Sequence, residues 1–327
     1  MDDIRWGILG TAGIAESAFL PALAEAGGGV AAVVGSRDGA RAASWAAANG
    51  VARGVEGYAG VIEDPELDAV YIPLPNGLHA EWTIAALLAG KAVLCEKPLC
   101  ATPEETERVL AVARSATSPL WEAFVFPFHE QIERVRETLA RGEIGEVCEL
   151  WSRFHFVLDD PGDIRWFAEL AGGSIQDVGC YPIRLARLLF DAEPDGQAIA
   201  DAVWSEDGVD LELWGGLAFP GGRRLLCSSG FRTPHDTATR VIGTEGELRI
   251  TNPFHPEAHD TWSVQRGDDV SVTPAVPDGA HSFTPAIRHI HRVLRGREPP
   301  RHLAIDEAQG NADAIASMLG AARRTRP

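Results

Sequence analysis

The sequence predicts an α/β protein of two domains, in which a doubly wound parallel sheet is followed by an α+β domain on a mostly antiparallel open sheet. Up to residue 125, short apolar strands alternate with helical segments, which is typical of parallel sheets. Beyond it, strands follow one another through turns such as 220–222 and 244–246, which favours antiparallel pairing. A length of 327 residues suits about two domains. The predicted limits are 1–125 and 126–327.

The composition argues against several classes of protein. The chain is 45% hydrophobic and 23% charged, as an ordinary globular protein is, and its net charge is -18. Because that acidity repels phosphate backbones and anionic lipids, we expect neither nucleic acid nor a membrane as a partner. No apolar run approaches the length of a membrane-spanning helix.

The first residues and the cysteines predict a cytoplasmic protein. The sequence opens Met1-Asp2-Asp3-Ile4 and enters an apolar strand, without the basic and apolar regions of a signal peptide. Its five cysteines are scattered, with no C-x-x-C pair and no histidine and cysteine cluster at zinc-ligand spacing. We therefore expect reduced thiols and no metal site.

The first strand and the turn after it predict a dinucleotide site. Residues 4–9 form an apolar strand that runs into Gly10-Thr11-Ala12-Gly13-Ile14-Ala15 and then into a helical pattern. The match is G-x-A-x-x-A, with Gly10 at the tight turn and Ala12, where glycine is usual, facing the pyrophosphate. Residues 10–14 are the predicted contacts, since a helix N-terminus there attracts phosphate. An ordinary strand-to-helix turn is the alternative.

The end of the second strand predicts NADP, with NAD less favoured. Strand 30–34 is followed by Gly35-Ser36-Arg37, where NAD-binding sheets carry an acidic residue for the ribose hydroxyl. A guanidinium can donate two parallel hydrogen bonds to a 2′-phosphate, and a serine hydroxyl can donate another, so Ser36 and Arg37 are the predicted contacts. A solvated loop arginine is the alternative, and Asp38 opposes the NADP interpretation.

Two further strands deliver polar residues to the same edge of the sheet. Strand 67–72 is followed by Pro75, Asn76 and His79, which are predicted to lie beside the cofactor because ligands bind outside the carboxyl ends of the strands. A capping or packing role is the alternative for His79.

Strand 91–95 is followed by Glu96-Lys97-Pro98. Glu96 and Lys97 are further predicted cofactor contacts. Glu96 would serve cofactor-side packing or hydrogen bonding, and Pro98 would fix the backbone next to the lysine.

The other predicted elements complete the two domains. In the first they are helices 40–49, 58–62, 80–89 and 103–114 and strand 119–126. In the second they are helices 129–141, 181–190, 281–295 and 306–323, with strands 146–157, 199–205, 209–219, 223–230, 237–243 and 247–250.

Four motifs stand in order along both halves of the chain. They are Gly10-Thr11-Ala12-Gly13-Ile14-Ala15, Pro75-Asn76-Gly77-Leu78-His79, Glu96-Lys97-Pro98 and Gly172-Gly173-Ser174-Ile175-Gln176-Asp177-Val178-Gly179-Cys180-Tyr181. Together they resemble the glucose–fructose oxidoreductase / inositol dehydrogenase family (Gfo/Idh/MocA). The resemblance implies a Rossmann domain, an α/β domain whose open sheet faces the cofactor and often makes the oligomer contact, and a catalytic group of Lys97, Asp177 and Tyr181.

Two stretches narrow the resemblance to a branch. Residues 157–165 and 177–183 are similar to NADP-dependent D-xylose dehydrogenases, dimeric dihydrodiol dehydrogenases and deoxysugar 3-ketoreductases. The inositol dehydrogenase branch has histidine in place of Tyr181. The stretch Phe126–Glu130 departs from the arginine and proline of relatives, and this leaves the substrate undefined.

The implied group suits hydride chemistry at a carbinol carbon. A tyrosine exchanges a proton with the substrate oxygen once its pKa falls from about 10 towards neutrality, and a nearby lysine ammonium lowers it. Tyr181 is thus the predicted acid/base and Lys97 the tuning residue. Asp177 would hold Lys97 charged or accept a sugar hydroxyl. A surface lysine, a helix cap and a packed aromatic are the respective alternatives.

The loop before this motif holds two further candidates. Arg165 and Trp166 are predicted to bind cofactor phosphate or sugar, with bracing of the loop as the alternative. Gly172 and Gly173 are expected to let the backbone approach the sugar or the nicotinamide.

The sequence therefore predicts an NADP-dependent oxidoreductase that acts on a sugar or polyol, of the aldopyranose dehydrogenase type. A reductase of keto-sugars, including nucleotide-linked deoxysugars, is the enzymatic alternative, and a non-catalytic NADP-binding regulator is the alternative of another class. We expect a homodimer or homotetramer that forms through the sheet of the C-terminal domain.

Overall fold

The structure is a computed structural model that describes residues 3–276 and 281–325. The chain divides into two compact units, Met1–Val125 with Ala280–Gln309 and Phe126–Gly279 with Gly310–Pro327. This grouping differs from the predicted limits in one respect, because the segment Ala280–Gln309 belongs to the first unit and was predicted in the second domain. The cofactor-binding and substrate-binding roles of the two units remain proposals.

The first unit is built on six parallel strands in the order β3-β2-β1-β4-β5-β6. The strands are β1 (Ile4–Leu9), β2 (Gly29–Ser36), β3 (Arg53–Glu56), β4 (Ala69–Ile72), β5 (Ala92–Cys95) and β6 (Leu120–Glu122). The chain order reverses between β1 and β4, and in such sheets ligands bind beyond the strand ends at this point. The predicted parallel sheet is confirmed.

Most helices of this unit connect these strands, and the last of them lies beyond the sheet in the chain. They are a π-helical turn (Ala15–Phe19) continued by α1 (Leu20–Ala26), then α2 (Gly39–Asn49), α3 (Ala59–Ile62), α4 (His79–Leu88), α5 (Pro103–Ser115) and, from late in the chain, α8 (Thr284–Leu294). Local sequence fixes their ends. For α5, the Thr102 side chain accepts a hydrogen bond from the amide of Glu105 at 3.2 Å, and Pro103 occupies the first turn.

Aromatic packing explains why α8 belongs to the first unit. Trp6 on β1 is buried against Phe19, which stacks on Tyr71 with ring centroids 4.2 Å apart. The indole N–H of Trp6 donates to Nε2 of His291 on α8 at 3.0 Å. A buried indole needs such a partner, so the late helix completes the core of this unit.

The second unit is built on a ten-stranded, mostly antiparallel sheet in the order β15-β14-β13-β12-β7-β10-β9-β8-β16, with β11 paired to β7. The strands are β7 (Val147–Val157), β8 (Ile199–Trp204), β9 (Asp210–Phe219), β10 (Arg223–Gly230), β11 (Arg232–Asp236), β12 (Thr239–Gly243), β13 (Glu247–Ile250), β14 (Thr261–Arg266), β15 (Asp269–Pro274) and β16 (Ala322–Thr325). The pairs β7 with β10 and β8 with β16 are parallel.

Helices of the second unit are α6 (Glu130–Ala140), a π-helical turn (Ile175–Gly179) continued by α7 (Cys180–Phe190), and α9 (Ala304–Ala321), within which the boundary between the units falls. Helix α7 packs on β7 and β10. The α+β organisation predicted from sequence is confirmed. No helix in the described parts of the chain is long and apolar enough to cross a membrane.

Several strands were not predicted from sequence. They are β3, β11, β14, β15 and β16. Residues of β11 and β15 are mostly exposed. Strand β11 has no apolar alternation to mark it in sequence. Strand β15 does alternate, with Val270 and Val272 between polar residues, and was missed all the same. Strand β6 is shorter than predicted, since the apolar run after it turns into a buried 3₁₀ segment, Phe126–Phe128.

Candidate active site

The turn after β1 has the geometry of a phosphate-binding loop. Gly10 has φ of 102°, and its amide donates to the carbonyl of Gly35 at 2.8 Å. A side chain at this position would be strained and would also meet Leu74 at 3.0 Å. Gly13 faces open space, and Ile14 is exposed at the start of the helix. These features fit a pyrophosphate above the helix N-terminus.

Thr11 has a partner that the sequence did not indicate. Its hydroxyl accepts a hydrogen bond from Nε of Arg41 on α2 at 2.8 Å. Ala12 is half-buried, and its carbonyl accepts the amide of Ala15 at 3.0 Å. The turn is therefore braced from the helix that follows β2.

Arg37 and Asp38, which follow β2, have different surroundings. Ser36 is buried and Arg37 is exposed. Asp38 caps α2, because its carboxylate accepts the amides of Ala40 at 2.9 Å and Arg41 at 3.1 Å. The carboxylate that opposed the NADP interpretation thus has a structural role at the helix start.

His79 is a packed side chain. It is fully buried, with Nδ1 2.9 Å from the carbonyl of Pro98 and Nε2 2.7 Å from that of Leu74. Burial lowers its pKa from the usual value. Because both ring nitrogens face backbone carbonyls, the ring joins two loops and this geometry does not support the predicted direct contact with a cofactor. The packing alternative describes it better.

Pro75 and Asn76 lie in the loop that His79 holds. The carbonyl of Pro75 accepts the amide of Leu78 at 2.8 Å, and a 3₁₀ turn spans Asn76–Leu78. Both side chains are half-buried. Their predicted cofactor contact remains a proposal.

Glu96 and Lys97 follow β5 in different environments. Glu96 is buried, and one carboxylate oxygen accepts the hydroxyl of Tyr71 at 2.6 Å. Lys97 is half-buried at the end of the strand, and the Lys97–Pro98 peptide is cis. The buried carboxylate therefore anchors the strand end from which Lys97 extends.

In the second unit, Asp177 and Tyr181 belong to one continuous helix. Asp177 lies in the π-helical turn and Tyr181 in the first turn of α7. The helix includes Asp177, which is the condition under which residues four apart share a side. Both residues are buried.

The cation that faces Asp177 in this unit is Arg165. Its Nε donates to the Asp177 carboxylate at 2.5 Å, and one terminal nitrogen contacts both oxygens of Asp163 at 3.1 Å. Burial lowers the pKa of Arg165, but attraction to Asp177 and Asp163 outweighs this and raises it. Arg165 thus orients Asp177, and its guanidinium is engaged by protein carboxylates.

Trp166 braces the loop, as the alternative interpretation held. Its indole N–H donates to the carbonyl of Asp160 at 2.7 Å, and its ring packs edge-on against Phe231. This side chain is half-buried. The indole donor is therefore engaged within the loop.

Asp210 ties the start of this helix to the sheet, and sequence analysis missed it. Its carboxylate accepts the Ser174 hydroxyl at 2.7 Å and the amide of Ile175 at 2.8 Å, and Ser174 also contacts Ser229 on β10 at 2.9 Å. Burial raises the pKa of Asp210 to about 6. An acidic residue at the start of a mostly apolar strand was the available signal.

The paired glycines make room for these anchors. A side chain on Gly173, which has φ of 111°, would lie 2.2 Å from Oδ1 of Asp210. One on Gly172 would lie 2.3 Å from the carbonyl of Arg165. The glycines therefore admit the close approach of protein atoms, and the predicted approach to a sugar or the nicotinamide stays a prediction.

The ring of Tyr181 lies in an aromatic cluster. Its neighbours are Phe126, Phe154 and Phe254, with centroid distances of 6.2, 5.3 and 5.1 Å. Nε2 of His255 lies 3.2 Å from the phenol oxygen. The stretch that departs from the family pattern thus contributes Phe126 to the surroundings of Tyr181.

Two buried thiols and the arrangement of possible metal ligands bear on nucleophilic and metal chemistry. Burial raises the pKa of both Cys100 and Cys227 to about 12, so these thiols stay protonated at neutral pH. Within residues 3–276 and 281–325, no group of three or more histidine, cysteine or acidic side chains is arranged to hold a metal ion.

Comparison with known proteins agrees with the fold and the loop after β1. Residues 4–124 match the oxidoreductase family with an NAD-binding Rossmann fold, so the protein is an oxidoreductase of that class. Residues 132–249 match the GFO/IDH/MocA C-terminal domain. The chain therefore belongs to the Gfo/Idh/MocA family.

Relatives and solved structures span nearly the whole chain. D-xylose 1-dehydrogenase (NADP(+)) 2 of Haloferax volcanii is 38% identical over 91% of each chain. A dTDP-3,4-didehydro-2,6-dideoxy-alpha-D-glucose 3-reductase of Streptomyces violaceoruber is 39% identical over 96% of this chain and 92% of its own. The 3-ketoreductase KijD10 of Actinomadura kijaniata, solved with NADP and TDP-benzene, is 32% identical over 100% of both chains with a TM-score of 0.90.

Proposed function

We propose that this protein transfers a hydride between NADP and a carbinol or carbonyl carbon of a sugar or polyol, with oxidation of an aldopyranose as the leading reaction. The observation that carries this proposal is the helix that presents Asp177 and Tyr181, with Arg165 and Asp210 as its anchors. The match to an NADP-dependent D-xylose dehydrogenase supports the substrate class and the direction. The alternative of a non-catalytic NADP-binding regulator has less support, because Lys97, Asp177 and Tyr181 are all present.

The loop residues of the first unit would hold the cofactor. Gly10, Thr11, Ala12, Gly13 and Ile14 would surround the pyrophosphate, as the open space at Gly13 allows. Ser36 and Arg37 would bind the 2′-phosphate, and Pro75 and Asn76 would lie beside the cofactor. When bound, the nicotinamide supplies or accepts the hydride.

Each catalytic side chain would have a separate task. Tyr181 would exchange a proton with the substrate oxygen, and the Lys97 ammonium would stabilise the phenolate and donate to that oxygen. Asp177, held by Arg165, would accept a substrate hydroxyl. Support comes from the KijD10 structures of a tyrosine-to-phenylalanine and a lysine-to-alanine variant, since those two residues are separated by the same number of residues as Tyr181 and Lys97.

A substrate panel tests the proposal. Purified protein is assayed for NADPH formation from aldoses with NADP⁺, and we expect turnover of at least one aldopyranose with a higher kcat/KM for NADP⁺ than for NAD⁺. Arg37→Ala should abolish most of that preference, since a charge-assisted contact to phosphate contributes about 1.5–3 kcal/mol. Fluorescence titration with NADPH and NADH measures the same difference by binding.

Arg53→Ala is the matched control for the loss of an arginine. Arg53 lies on the neighbouring strand β3 and pairs with Asp64, so its removal should leave the preference between cofactors unchanged. Equal affinities of the wild type for the two cofactors would contradict the NADP assignment. Failure with aldoses together with rapid NADPH oxidation by a keto-sugar would favour the alternative reductase, which the Streptomyces violaceoruber relative supports.

A homodimer through the outer face of the large sheet is a further part of the proposal. This face, defined by Ile199, Trp151, Trp214 and Leu226, exposes apolar side chains around a depression of about 980 Å³. Exposed apolar patches of this kind mark interaction surfaces. A homotetramer remains the alternative.

Trp214→Glu tests this surface, because it replaces a large apolar ring by a carboxylate that would be costly to desolvate in the interface. Sedimentation velocity should show a dimer for the wild type and a monomer for the variant. Val270→Glu on the exposed strand β15, outside the depression, should remain dimeric. A monomeric wild type contradicts the proposal.

The cellular site proposed is the cytoplasm. All five cysteines are free and four of them are buried, which suits a reducing compartment. Fractionation of cells that express the tagged protein measures this; recovery outside the cytoplasm would contradict it.

A further inference from the structure

A histidine outside the predicted set contacts the phenol of Tyr181. His255 follows β13 in the segment Asn252–His255, and its Nε2 lies 3.2 Å from the Tyr181 hydroxyl. The two rings meet edge-on at 70°, with centroids 5.5 Å apart. Tyr181 is only 5% exposed, whereas His255 is half-buried, so the imidazole lies nearer to solvent than the ring it contacts.

The segment that carries His255 is fixed by hydrogen bonds of its own. The Asn252 side chain accepts the amide of His255 at 3.1 Å and donates to its carbonyl at 2.6 Å. Gln131, fully buried on α6, donates to the carbonyl of Asn252 at 3.0 Å. The imidazole therefore belongs to a preorganised segment.

Aromatic packing fixes the same segment from its other side. Phe254 is fully buried and stacks on Phe154, with centroids 5.5 Å apart and an interplanar angle of 4°. Phe154 in turn contacts both Tyr181 and His255. The phenol and the imidazole thus share one rigid support, which keeps their contact in place.

On the basis of the proposed role of Tyr181, we propose that His255 positions the Tyr181 hydroxyl and relays its proton to solvent. In the reducing direction, Tyr181 gives its proton to the carbonyl oxygen as hydride from a reduced nicotinamide forms the new C–H bond. The imidazolium N–H at Nε2 then breaks and restores the phenol O–H, and His255 regains a proton from solvent. Oxidation runs the same transfers in reverse.

A histidine suits this task because it ordinarily changes charge near neutral pH, where a phenol does not. Further ionisable groups lie on the elements packed around this pair, either nearest to it in the chain or on its supporting strands. They are Asp177, Arg184 and Arg187 on the Tyr181 helix, Arg153 and His155 on β7, His235 and Asp236 on β11, Glu130, Glu133 and His129 on or before α6, and Glu257, His259 and Asp260 after His255.

The test uses the ligand-free full chain and NMR of ¹³Cζ-labelled tyrosine. The chain has three tyrosines, so Tyr181→Phe assigns the resonance of Tyr181 by its disappearance. As pH crosses the range in which His255 titrates, the Tyr181 signal should shift in the wild type. In His255→Gln, which keeps a hydrogen-bonding group without a titrating one, that step should be lost.

His235→Gln is the matched control. His235 packs edge-on against Phe154 at 5.8 Å, on the ring that also borders Tyr181, and it is exposed. This substitution removes a nearby imidazole and leaves the contact at 3.2 Å in place. We expect the Tyr181 step to persist in this variant. A step that persists in His255→Gln, or that is lost only in His235→Gln, would overturn the proposal.

Kinetics separates failure of this inference from failure of the proposed function. We expect the Tyr181→Phe variant to be inactive. The His255→Gln variant should have a kcat/KM about tenfold below that of the wild type, and one limb of the pH profile of kcat/KM should be flatter. Its affinity for NADPH should stay unchanged. Wild-type rates and an unchanged profile in His255→Gln would refute the relay alone. Full activity of Tyr181→Phe would refute the role of Tyr181 in catalysis, and the relay with it, whatever the NMR coupling.

Discussion

Tyr181→Phe should lower kcat by about 10²–10⁴, because it removes the group that would exchange a proton with the substrate oxygen. The change deletes one hydroxyl and leaves the ring, so contacts with Phe154 and Phe254 at 5.3 and 5.1 Å persist. The variant should therefore fold and bind NADPH as the wild type does. Initial rates with the substrate found in the panel, together with an NADPH titration, measure the two effects.

Tyr58→Phe provides a control for the loss of a phenol. Tyr58 packs edge-on against Trp82 in the first unit and lies outside the proposed catalytic group. Its hydroxyl should be dispensable for turnover. Retention of full kcat by Tyr181→Phe would exclude Tyr181 as the acid/base and would favour another proton donor.

Lys97→Ala should lower kcat by about 10² or more and move the optimum of the oxidation reaction to higher pH. Without the ammonium, the phenol would return towards its ordinary pKa of about 10, so less phenolate would be present at neutral pH. The chain contains only one other lysine, Lys91, whose ammonium donates to the carbonyls of Asp64 and Leu67. The pH dependence of kcat in the wild type and in Lys97→Ala is the measurement.

Chemical rescue distinguishes loss of the ammonium from loss of structure. A small primary amine added to Lys97→Ala should recover part of the activity, because it supplies a cation to the vacated space. Lys97→Arg keeps a positive charge but changes its shape, and should not match the wild type. An unchanged kcat in Lys97→Ala would rule out the tuning role. If circular dichroism shows that this variant is unfolded, Lys97 contributes to the stability of the fold.

Local pattern was sufficient for most of the fold. Apolar strands such as Ile4–Leu9 and Ala92–Cys95 are followed by a glycine or a charged residue. Thr102 and Pro103 mark the capped start of α5. These signals lie within a few residues of each other, so sequence alone reveals them. Strand β11 escaped detection because its sequence carries no apolar periodicity, and only its pairing with β7 makes it a strand.

The roles of single polar side chains depended on partners distant in the chain. Sequence named Arg165, Asp177 and Tyr181, but only the folded chain sets the guanidinium 2.5 Å from the carboxylate. It likewise shows His79 enclosed by two carbonyls where a ligand contact was predicted.

The sequence by itself determined the family, the two-part α/β fold and the kind of residue available for hydride chemistry. Tertiary structure alone decided which groups hold those residues. Asp210 lies 36 and 35 positions from Ser174 and Ile175, which it contacts at the start of the helix of Asp177. His255 lies in a different loop and contacts Tyr181. The physical reason is that hydrogen bonds and burial depend on distances between atoms, and separation along the chain does not encode those distances.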